Sequence, residues 1–596
     1  MKFQLKAAAV AMLAASLVGS YAFAAQNPAP AHKHHAARRE HKPTVEQQIQ
    51  ALRDQLQSQQ SQIDNLKNDL ATKNAALQEA QQRAAQAEDA AAKAQAAADQ
   101  QQHAVTENAS AVKTLSSSVD DMKQANASVV SSITEETQGI KKEIAHPDAL
   151  HYKGITISPA GSFLAAETVW RQGATGGGLN TQFTGVPLQF SDAAQMSEFQ
   201  GSGRQSRLAL TATGKLANMT LTGYYEMDWL SAGATSNNNQ SNSYTMRQRQ
   251  LWVDARLNDG WDFSGGQGWS LSTETTKGLQ RGSEILPASI DPQYETGFVW
   301  TRQYSFRVTR DIGKSLFFGV SAENAETLNP AGANLPTNLL IGSAGNAGGL
   351  YNPASNYSFN PTPDFVAKVA VEPGWGHWEL FGIGRSFRDR IYPTSGTPYN
   401  HTVWGGGIGG GFRGPLLDKR VSIGLKGLWG AGVGRYGSST IADVTLRPDG
   451  TLSPLHGFSA LSTLEMNPTK RLSLYLNYGG DYIGRDWTID PVSAKQVGYG
   501  TYTANMSGCQ TEVPSGGSFS PSNPANCAGN NKDVQEFATG WWFDIHNGPA
   551  GRLRQGFQYS RFERNLWSGN GGTTNPDGGA NGIDNMVWTS FRYYLP

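Results

Sequence analysis

Aromatic residues and glycine divide this chain of 596 residues into two unlike parts. Of its 23 Phe, 20 Tyr and 15 Trp, only Phe3, Tyr21 and Phe23 precede Tyr152, and Gly is equally scarce before that residue. A long segment without aromatic residues cannot build a globular core. A segment rich in Gly, aromatic residues, Ser, Thr and Asn is typical of β-structure with many turns. The boundary therefore predicts a helical segment followed by a β-domain.

The N-terminus has the pattern of a secretory signal peptide. Lys2 and Lys6 precede an apolar stretch that ends at Ala22-Phe23-Ala24, a small-x-small sequence typical of signal-peptidase sites. We predict cleavage after residue 24 and export of the mature protein; an uncleaved anchor is the alternative. No later stretch of about 18 apolar residues follows, so we expect any membrane insertion to be as a barrel.

Residues 25–44 form a basic, His-rich leader that contains His32, His34, His35 and His41. Four His could in principle hold a transition metal. We predict a flexible leader without metal instead, because nothing in the sequence orders these side chains.

Residues 45–146 repeat apolar side chains every seven positions. Position a begins at Ile49 and position d at Leu52, and the register continues for fourteen heptads between Pro43 and Pro147. A spacing of 3.5 residues per turn predicts a long α-helical coiled coil with a left-handed supercoil. Polar residues at several d positions leave its oligomeric state open, and a solvated single helix or an antiparallel hairpin is the alternative.

Short segments of alternating apolar and polar residues recur from residue 152 to 596. Alternation with one apolar face is typical of transmembrane β-strands, whose outer face meets lipid and whose inner face meets water. Seven short turns alternate with eight long, polar loops. This pattern predicts an all-β transmembrane barrel of about 16 antiparallel strands, and an even strand number puts both chain ends on the short-turn side. We therefore expect the coiled coil to lie in the periplasm.

Four short stretches carry a resemblance to a known family: 246–249 (MRQR), 266–270 (GQGWS), 286–291 (LPASID) and 302–307 (RQYSFR). With the coiled coil, they resemble trimeric outer-membrane porins, most closely the DcaP-like group. The resemblance implies a homotrimer with three pores in outer-membrane lipid. It also implies small hydrophilic, anionic solutes such as dicarboxylates. The chain departs from the family at its last residue, Pro596, where such barrels usually end on an aromatic residue.

Two sets of charged residues are candidates for lining the pore. Strand parity predicts a set of wall residues, namely Arg207, Glu226, Asp228, Arg256, Arg307 and Lys368. In porins of this kind the loop after the fifth strand folds inward, and its counterpart, 271–299, carries Glu274, Lys277, Arg281, Glu284, Asp291 and Glu295. A basic wall that faces an acidic loop would orient polar solutes and would favour anions.

Arg247 and Arg249 are harder to place. They share the parity of Leu251, which is predicted to face lipid. This parity favours a position at the outer rim, and a β-bulge that turns both side chains into the pore is the alternative.

Cys509 and Cys527 lie in a segment rich in Gly, Ser, Pro and Asn. Export into an oxidising compartment favours a disulfide between them, since a zinc site needs four ligands and no further candidates are near. The 49 basic and 49 acidic residues balance, so the basic face of a nucleic-acid-binding protein is missing. No catalytic or metal-ligating spacing stands out, and we predict neither enzymatic activity nor a cofactor.

The sequence thus predicts a trimeric outer-membrane porin for passive diffusion of small hydrophilic solutes. The alternative is a structural tether, in which the coiled coil links the outer membrane to peptidoglycan and the barrel is its anchor. A barrel enzyme with a plugged lumen is a third candidate, because catalytic residues can be close in space without being close in sequence.

Overall fold

The computed structural model describes residues 149–175, 179, 183–231, 245–328, 335–341, 360–417, 420–512, 526–571 and 579–596. The predicted signal peptide (1–24), the leader (25–44) and the coiled coil (45–146) lie outside the described residues. Within the ranges given above, no helix is both long and apolar enough to cross a membrane.

The described part of the chain contains 24 strands and four short 3-10 helices. The first twelve strands are β1 (Leu150–Tyr152), β2 (Ile155–Pro159), β3 (Phe163–Arg171), β4 (Glu198–Ser202), β5 (Arg207–Leu216), β6 (Met219–Ser231), β7 (Thr245–Leu257), β8 (Trp261–Trp269), β9 (Arg302–Ile312), β10 (Leu316–Glu323), β11 (Leu339–Ile341) and β12 (Asp364–Val371). The others are β13 (His377–Ile391), β14 (Tyr399–Leu416), β15 (Val421–Ala431), β16 (Val444–Leu446), β17 (Leu452–Pro454), β18 (His456–Met466), β19 (Leu472–Ile483), β20 (Asp486–Ile489), β21 (Gln496–Tyr499), β22 (Asn531–Gly548), β23 (Gly551–Leu566) and β24 (Asn581–Tyr594). The 3-10 helices are Phe183–Gly185, Ala193–Gln195, Pro292–Tyr294 and Gly434–Tyr436.

Sixteen antiparallel barrel strands form a closed ring. The first consists of β2 and β3, which both pair with β5, and the second consists of β4 and β5. The other fourteen are β6–β10, β12–β15, β18, β19 and β22–β24. Strand β24 pairs with β3 from Met586 opposite Arg171 to Tyr594 opposite Phe163, which closes the ring. The prediction of about 16 antiparallel strands in a barrel is confirmed.

Short turns lie at one rim of the barrel and long connections at the other. The turn 217–218 joins β5 to β6 and 549–550 joins β22 to β23, whereas 270–301 joins β8 to β9. Ile155 pairs with Gly214, close to the turn 217–218. Tyr594 pairs with Arg552, close to the turn 549–550. The first barrel strand therefore begins, and the last one ends, at the short-turn rim.

Alternating side chains give the barrel an apolar outer face and a polar inner face. On β9, Tyr304 and Phe306 are 57% and 65% exposed. The residues that alternate with them, Ser305 and Arg307, are each 2% exposed. The same alternation of exposed and buried residues recurs on β12 and β18. Strands that face lipid are expected to carry such an apolar band on the outside of the barrel.

The buried apolar core lies inside the barrel, where the connections 270–301 and 432–455 fold against the inner wall. Val299 and Tyr436 from these connections pack in one buried cluster with Phe381 of β13. The interior is therefore partly filled by loops, which narrow the space that the sixteen strands enclose.

Glycines on the inner face of β14 let large side chains of β13 pack against the wall. A Cβ atom at Gly409 would lie 2.2 Å from Cζ of Phe381, and one at Gly405 would lie 2.9 Å from Cε2 of Phe387. Both phenylalanines are buried. The Gly-rich sequence of β14 is thus explained by close packing inside the barrel.

Cys509 and Cys527 are joined by a disulfide in the connection between β21 and β22. Cys509 is buried beside Met506 and Leu566, and Cys527 packs against the same cluster. The disulfide therefore belongs to the long-loop end of the barrel, where it links two points of one connection, and that connection packs against the end of β23.

Candidate functional site

The connection 270–301, which we call the inward loop, crosses the interior of the barrel. Near its start, Glu274 accepts a hydrogen bond from Nε of Arg413 on β14 at 2.7 Å. Further on, the backbone N–H of Ile290 donates to Gln558 of β23 at 2.7 Å, and that of Thr296 donates to a carboxylate on β22 at 3.0 Å. Strands β14, β22 and β23 are far around the ring from β8 and β9, so the loop spans the lumen.

A buried ion-pair cluster holds the first half of the inward loop. Glu379 of β13 lies between Lys368 of β12, whose Nζ is 2.5 Å from the carboxylate, and Lys426 of β15, which also contacts that carboxylate. Lys368 also donates to the carbonyl of Thr273 at 2.7 Å, and the hydroxyl of Thr275 donates to Glu379 at 3.3 Å. The predicted wall residue Lys368 thus faces inward, but the loop covers it and it does not line open lumen.

Arg307, Arg281 and Glu284 form a second buried group beneath the inward loop. Arg307 pairs with Glu284 at 3.1 Å and donates to the carbonyl of Trp269 at 2.6 Å. Arg281 donates to the hydroxyl of Ser264 at 2.9 Å, and burial lowers the pKa of its guanidinium to about 10. Arg307 and Glu284 neutralise each other, and Arg281 is held by hydrogen bonds to Ser264 and Ser305, so these predicted pore charges hold the loop in place more than they face a solute.

A β-bulge in β7 turns Arg247 and Arg249 into the barrel. The pairing register of β6 and β7 shifts between Glu226 and Met227, and Arg249 is the residue without a partner across the ladder. Arg249 is 1% exposed and forms an ion pair with Glu226. Of the two positions left open by the sequence, the structure therefore shows the one in the pore, set by a bulge, and not the outer rim that parity favoured.

Asp228 joins the same group. Its carboxylate accepts a hydrogen bond from Nε of Arg247 at 2.7 Å and lies 3.4 Å from Nε of Arg249. The predicted wall residues Glu226 and Asp228 are therefore paired with the two arginines that the bulge supplies.

Arg207, Arg552, Arg554 and Arg592 line a cavity of about 410 Å³ between the inward loop and the short-turn rim. Arg592 pairs with Glu167 at 2.9 Å through its Nε, and Arg552 and Arg554 share Asp544 at 2.9 and 3.1 Å. We call this cavity the basic pocket. Glu465 also lines the cavity. The four guanidinium groups still outnumber these three carboxylates, so the basic pocket carries excess positive charge.

Aromatic rings fix the guanidinium groups of the basic pocket. The guanidinium carbons of Arg554 and Arg592 lie 4.6 and 4.8 Å from the ring centre of Trp542, and that of Arg207 lies 5.1 Å from the ring of Phe163. Such stacking holds the charge in place without neutralising it. Sequence reasoning missed Arg552, Arg554 and Arg592, although the parity of β24 puts Arg592 on the face opposite its outward aromatic residues.

The remaining predicted residues fall in different places. Arg256 pairs with Asp311 at 2.6 Å near the short-turn rim, and Lys277 is exposed. Asp291 accepts a hydrogen bond from Gln205 at 2.6 Å.

Glu295 is 1% exposed, and burial raises the pKa of its carboxyl to about 7. In the described ranges, no group of three or more His, Cys, Asp or Glu residues is arranged to hold a metal ion.

No family model and no curated protein matches the sequence. Among solved structures, the outer membrane channel DcaP of Acinetobacter baumannii is similar with a TM-score of 0.51, at 14% sequence identity, over 75% of this chain and 99% of that chain. The barrel has a porin-like fold. OprB of Pseudomonas putida gives a TM-score of 0.40 at 11% identity, over 77% of this chain and 97% of the other. OmpF of Salmonella typhi gives a TM-score of 0.37 at 8% identity, over 74% of this chain and 99% of the other.

Proposed function

We propose that this protein is an outer-membrane porin through which small hydrophilic solutes diffuse passively. The observation that carries this proposal is a closed sixteen-strand barrel with an apolar outer face, a polar inner face and a loop that narrows the lumen. A barrel of this strand number encloses more space than its own side chains fill. The proposal assigns no catalytic residue and no cofactor to the chain.

We further propose that the pore prefers anions. The basic pocket lies directly beneath the inward loop, so a solute that passes the loop meets excess positive charge. Charges of one sign on the wall of a narrow, low-dielectric channel raise the local concentration of opposite ions. Lys368, Arg247, Arg249 and Arg307 each form an ion pair within the protein, which leaves the basic pocket as the main source of selectivity.

The assembly proposed with this function is a homotrimer in outer-membrane lipid, with the coiled coil of residues 45–146 in the periplasm. Both ends of the barrel domain lie at the short-turn rim, which supports a common side for the coiled coil and the chain terminus. The seven-residue repeat supplies an apolar seam that needs partner helices, as self-association would provide.

Solute entry into liposomes tests the proposed function. Proteoliposomes that contain the purified mature protein are expected to swell in isotonic solutions of small sugars and of small carboxylates, and faster for the carboxylate when the two solutes match in size. Liposomes without protein are the control. An absence of swelling for every solute would contradict passive diffusion and would favour a plugged barrel.

The coiled coil supports a second candidate function, a tether from the outer membrane to peptidoglycan. Deleting residues 45–146 separates the two. A tether would lose envelope integrity, seen as leakage of periplasmic enzymes, whereas a porin without the rod would still admit solutes. Retention of swelling together with an intact envelope would exclude the tether.

A further inference from the structure

The basic pocket has two walls of different chemistry. The barrel strands supply its four arginines, and the fully described inward loop supplies Leu286, Pro287, Ala288, Ser289 and Pro292. Of these five loop residues, only Ser289 has a polar side chain. The pocket is therefore basic on the barrel side and mainly apolar on the loop side.

The loop side of the pocket is held against the barrel. Nε1 of Trp542 donates a hydrogen bond to the carbonyl of Ala288 at 2.7 Å, and the carbonyl of Ile290 accepts one from Arg592. A proline on either side of these contacts restricts the backbone of the loop further. The apolar surface thus stays in place beside the arginines, and a bound solute does not have to order it.

The barrel side of the pocket keeps positive charge available to a solute. In the part of the chain that the structure describes, Nε of Arg207 has no hydrogen-bond partner, and the guanidinium group lies against the ring of Phe163. Arg552 and Arg554 share the single carboxylate of Asp544. A carboxylate on the solute can therefore bind these guanidinium groups in charge-assisted hydrogen bonds.

Two unlike walls favour a solute with two unlike ends. A carboxylate at one end would meet the arginines, and an apolar body at the other end would meet Leu286 and the loop residues beside it. A solute charged at both ends would place one charge against the apolar loop, where it loses water without gaining a partner. Glu465, which also lines the pocket, would in addition repel a second carboxylate. A volume of about 410 Å³ has room for a benzene ring that carries a carboxylate.

We propose that the basic pocket is a binding site for monocarboxylates with a compact apolar body, of which phenylacetate is a representative. This inference rests on the proposed porin function and narrows its solute class from anions in general to amphipathic ones. It departs from the dicarboxylates that the family resemblance implies, because a dicarboxylate has no apolar end for the loop side of the pocket.

Block of the channel current tests this inference. Phenylacetate and adipate have the same number of non-hydrogen atoms, but adipate carries two carboxylates and no ring. With purified mature protein in a planar bilayer in KCl, phenylacetate is expected to half-block the single-channel current at a concentration about fivefold lower than adipate, because its ring is buried against the loop. Adipate that blocks as well as phenylacetate, or better, would overturn the inference, since the charge of the pocket alone would then decide.

Leu286→Gln separates the apolar contact from the charge. It is expected to raise the half-blocking concentration of phenylacetate about fivefold and to leave that of adipate unchanged. Arg554→Gln should weaken the block by both anions. The matched control is Val492→Asn, which removes an apolar side chain that is 93% exposed in the connection between β20 and β21, and it should change neither. If Leu286→Gln does not fold, Leu286→Ala takes its place. An equal effect of the loop variant on both anions would contradict the apolar contact.

Equilibrium dialysis of radiolabelled phenylacetate and adipate against the protein in detergent micelles separates this inference from the proposed function. A channel that conducts but binds phenylacetate no better than adipate would overturn the inference and leave the porin function standing. Binding of phenylacetate that Leu286→Gln weakens, in a protein that does not conduct, would support the pocket and overturn the porin function.

Discussion

Replacing Glu379 by glutamine is expected to lower the free energy of unfolding by about 3–5 kcal/mol, because it leaves two lysines buried without a counter-charge. Lys368 and Lys426 are 1% and 4% exposed, and both contact the Glu379 carboxylate. The amide of glutamine can accept a hydrogen bond, but it carries no charge. The measurement is urea-induced unfolding of the purified protein in micelles, followed by tryptophan fluorescence.

Two controls separate this effect from a general sensitivity to mutation. Glu465→Gln removes a carboxylate whose side chain is 23% exposed, and we expect it to cost at most about 1 kcal/mol. Adding Lys368→Met to Glu379→Gln removes one of the stranded charges and should recover part of the lost stability. Equal stability of Glu379→Gln and the wild type would contradict the role given to this ion-pair cluster in holding the inward loop.

The double variant Arg207→Gln, Arg554→Gln is expected to lower the ratio of anion to cation permeability about tenfold, because it removes the excess positive charge of the basic pocket. Arg552 remains as the partner of Asp544, and Arg592 remains as the partner of Glu167. No carboxylate is therefore left without a partner. The reversal potential in a KCl gradient across a planar bilayer measures this ratio.

The matched control removes two positive charges elsewhere. Arg310 pairs across the ladder with the outward-facing Phe318, and Arg420 is exposed in a short turn. Arg310→Gln, Arg420→Gln should leave the reversal potential unchanged. A shift of equal size in both double variants would show that selectivity follows the overall charge of the protein, not the basic pocket.

The architecture could be predicted from the sequence because a barrel strand has a strict period of two residues. Tyr304 and Phe306 on one face of β9, with Ser305 and Arg307 on the other, are arranged as their parity predicts. The period fails at Arg249, where a bulge inserts one residue. The sequence indicates this only indirectly, by two arginines at lipid-facing positions, and it does not decide between a bulge and the outer rim. The division of the first two barrel strands into two pieces each was missed for the same reason.

The candidate site could be predicted only in part, because strand parity gives the direction of a side chain and not its partners. Lys368 does face inward, but its pairing with Glu379 and Lys426 depends on which strands become neighbours and on where the inward loop lies. The loop was expected from a family resemblance, while the wall residues that it contacts are up to 302 positions away in sequence, as Arg592 is from Ile290. Arg554 and its neighbours were missed because the wall charges were sought only on earlier strands.

Single-channel recording tests the central claim, an open anion-preferring pore, most directly. Purified mature protein added to a planar bilayer is predicted to insert and conduct, to close in three equal steps at high voltage as a trimer would, and to show a reversal potential on the anion side in a salt gradient. A protein that is folded, as judged by its β-sheet circular dichroism, yet gives no conductance at any voltage would contradict this account.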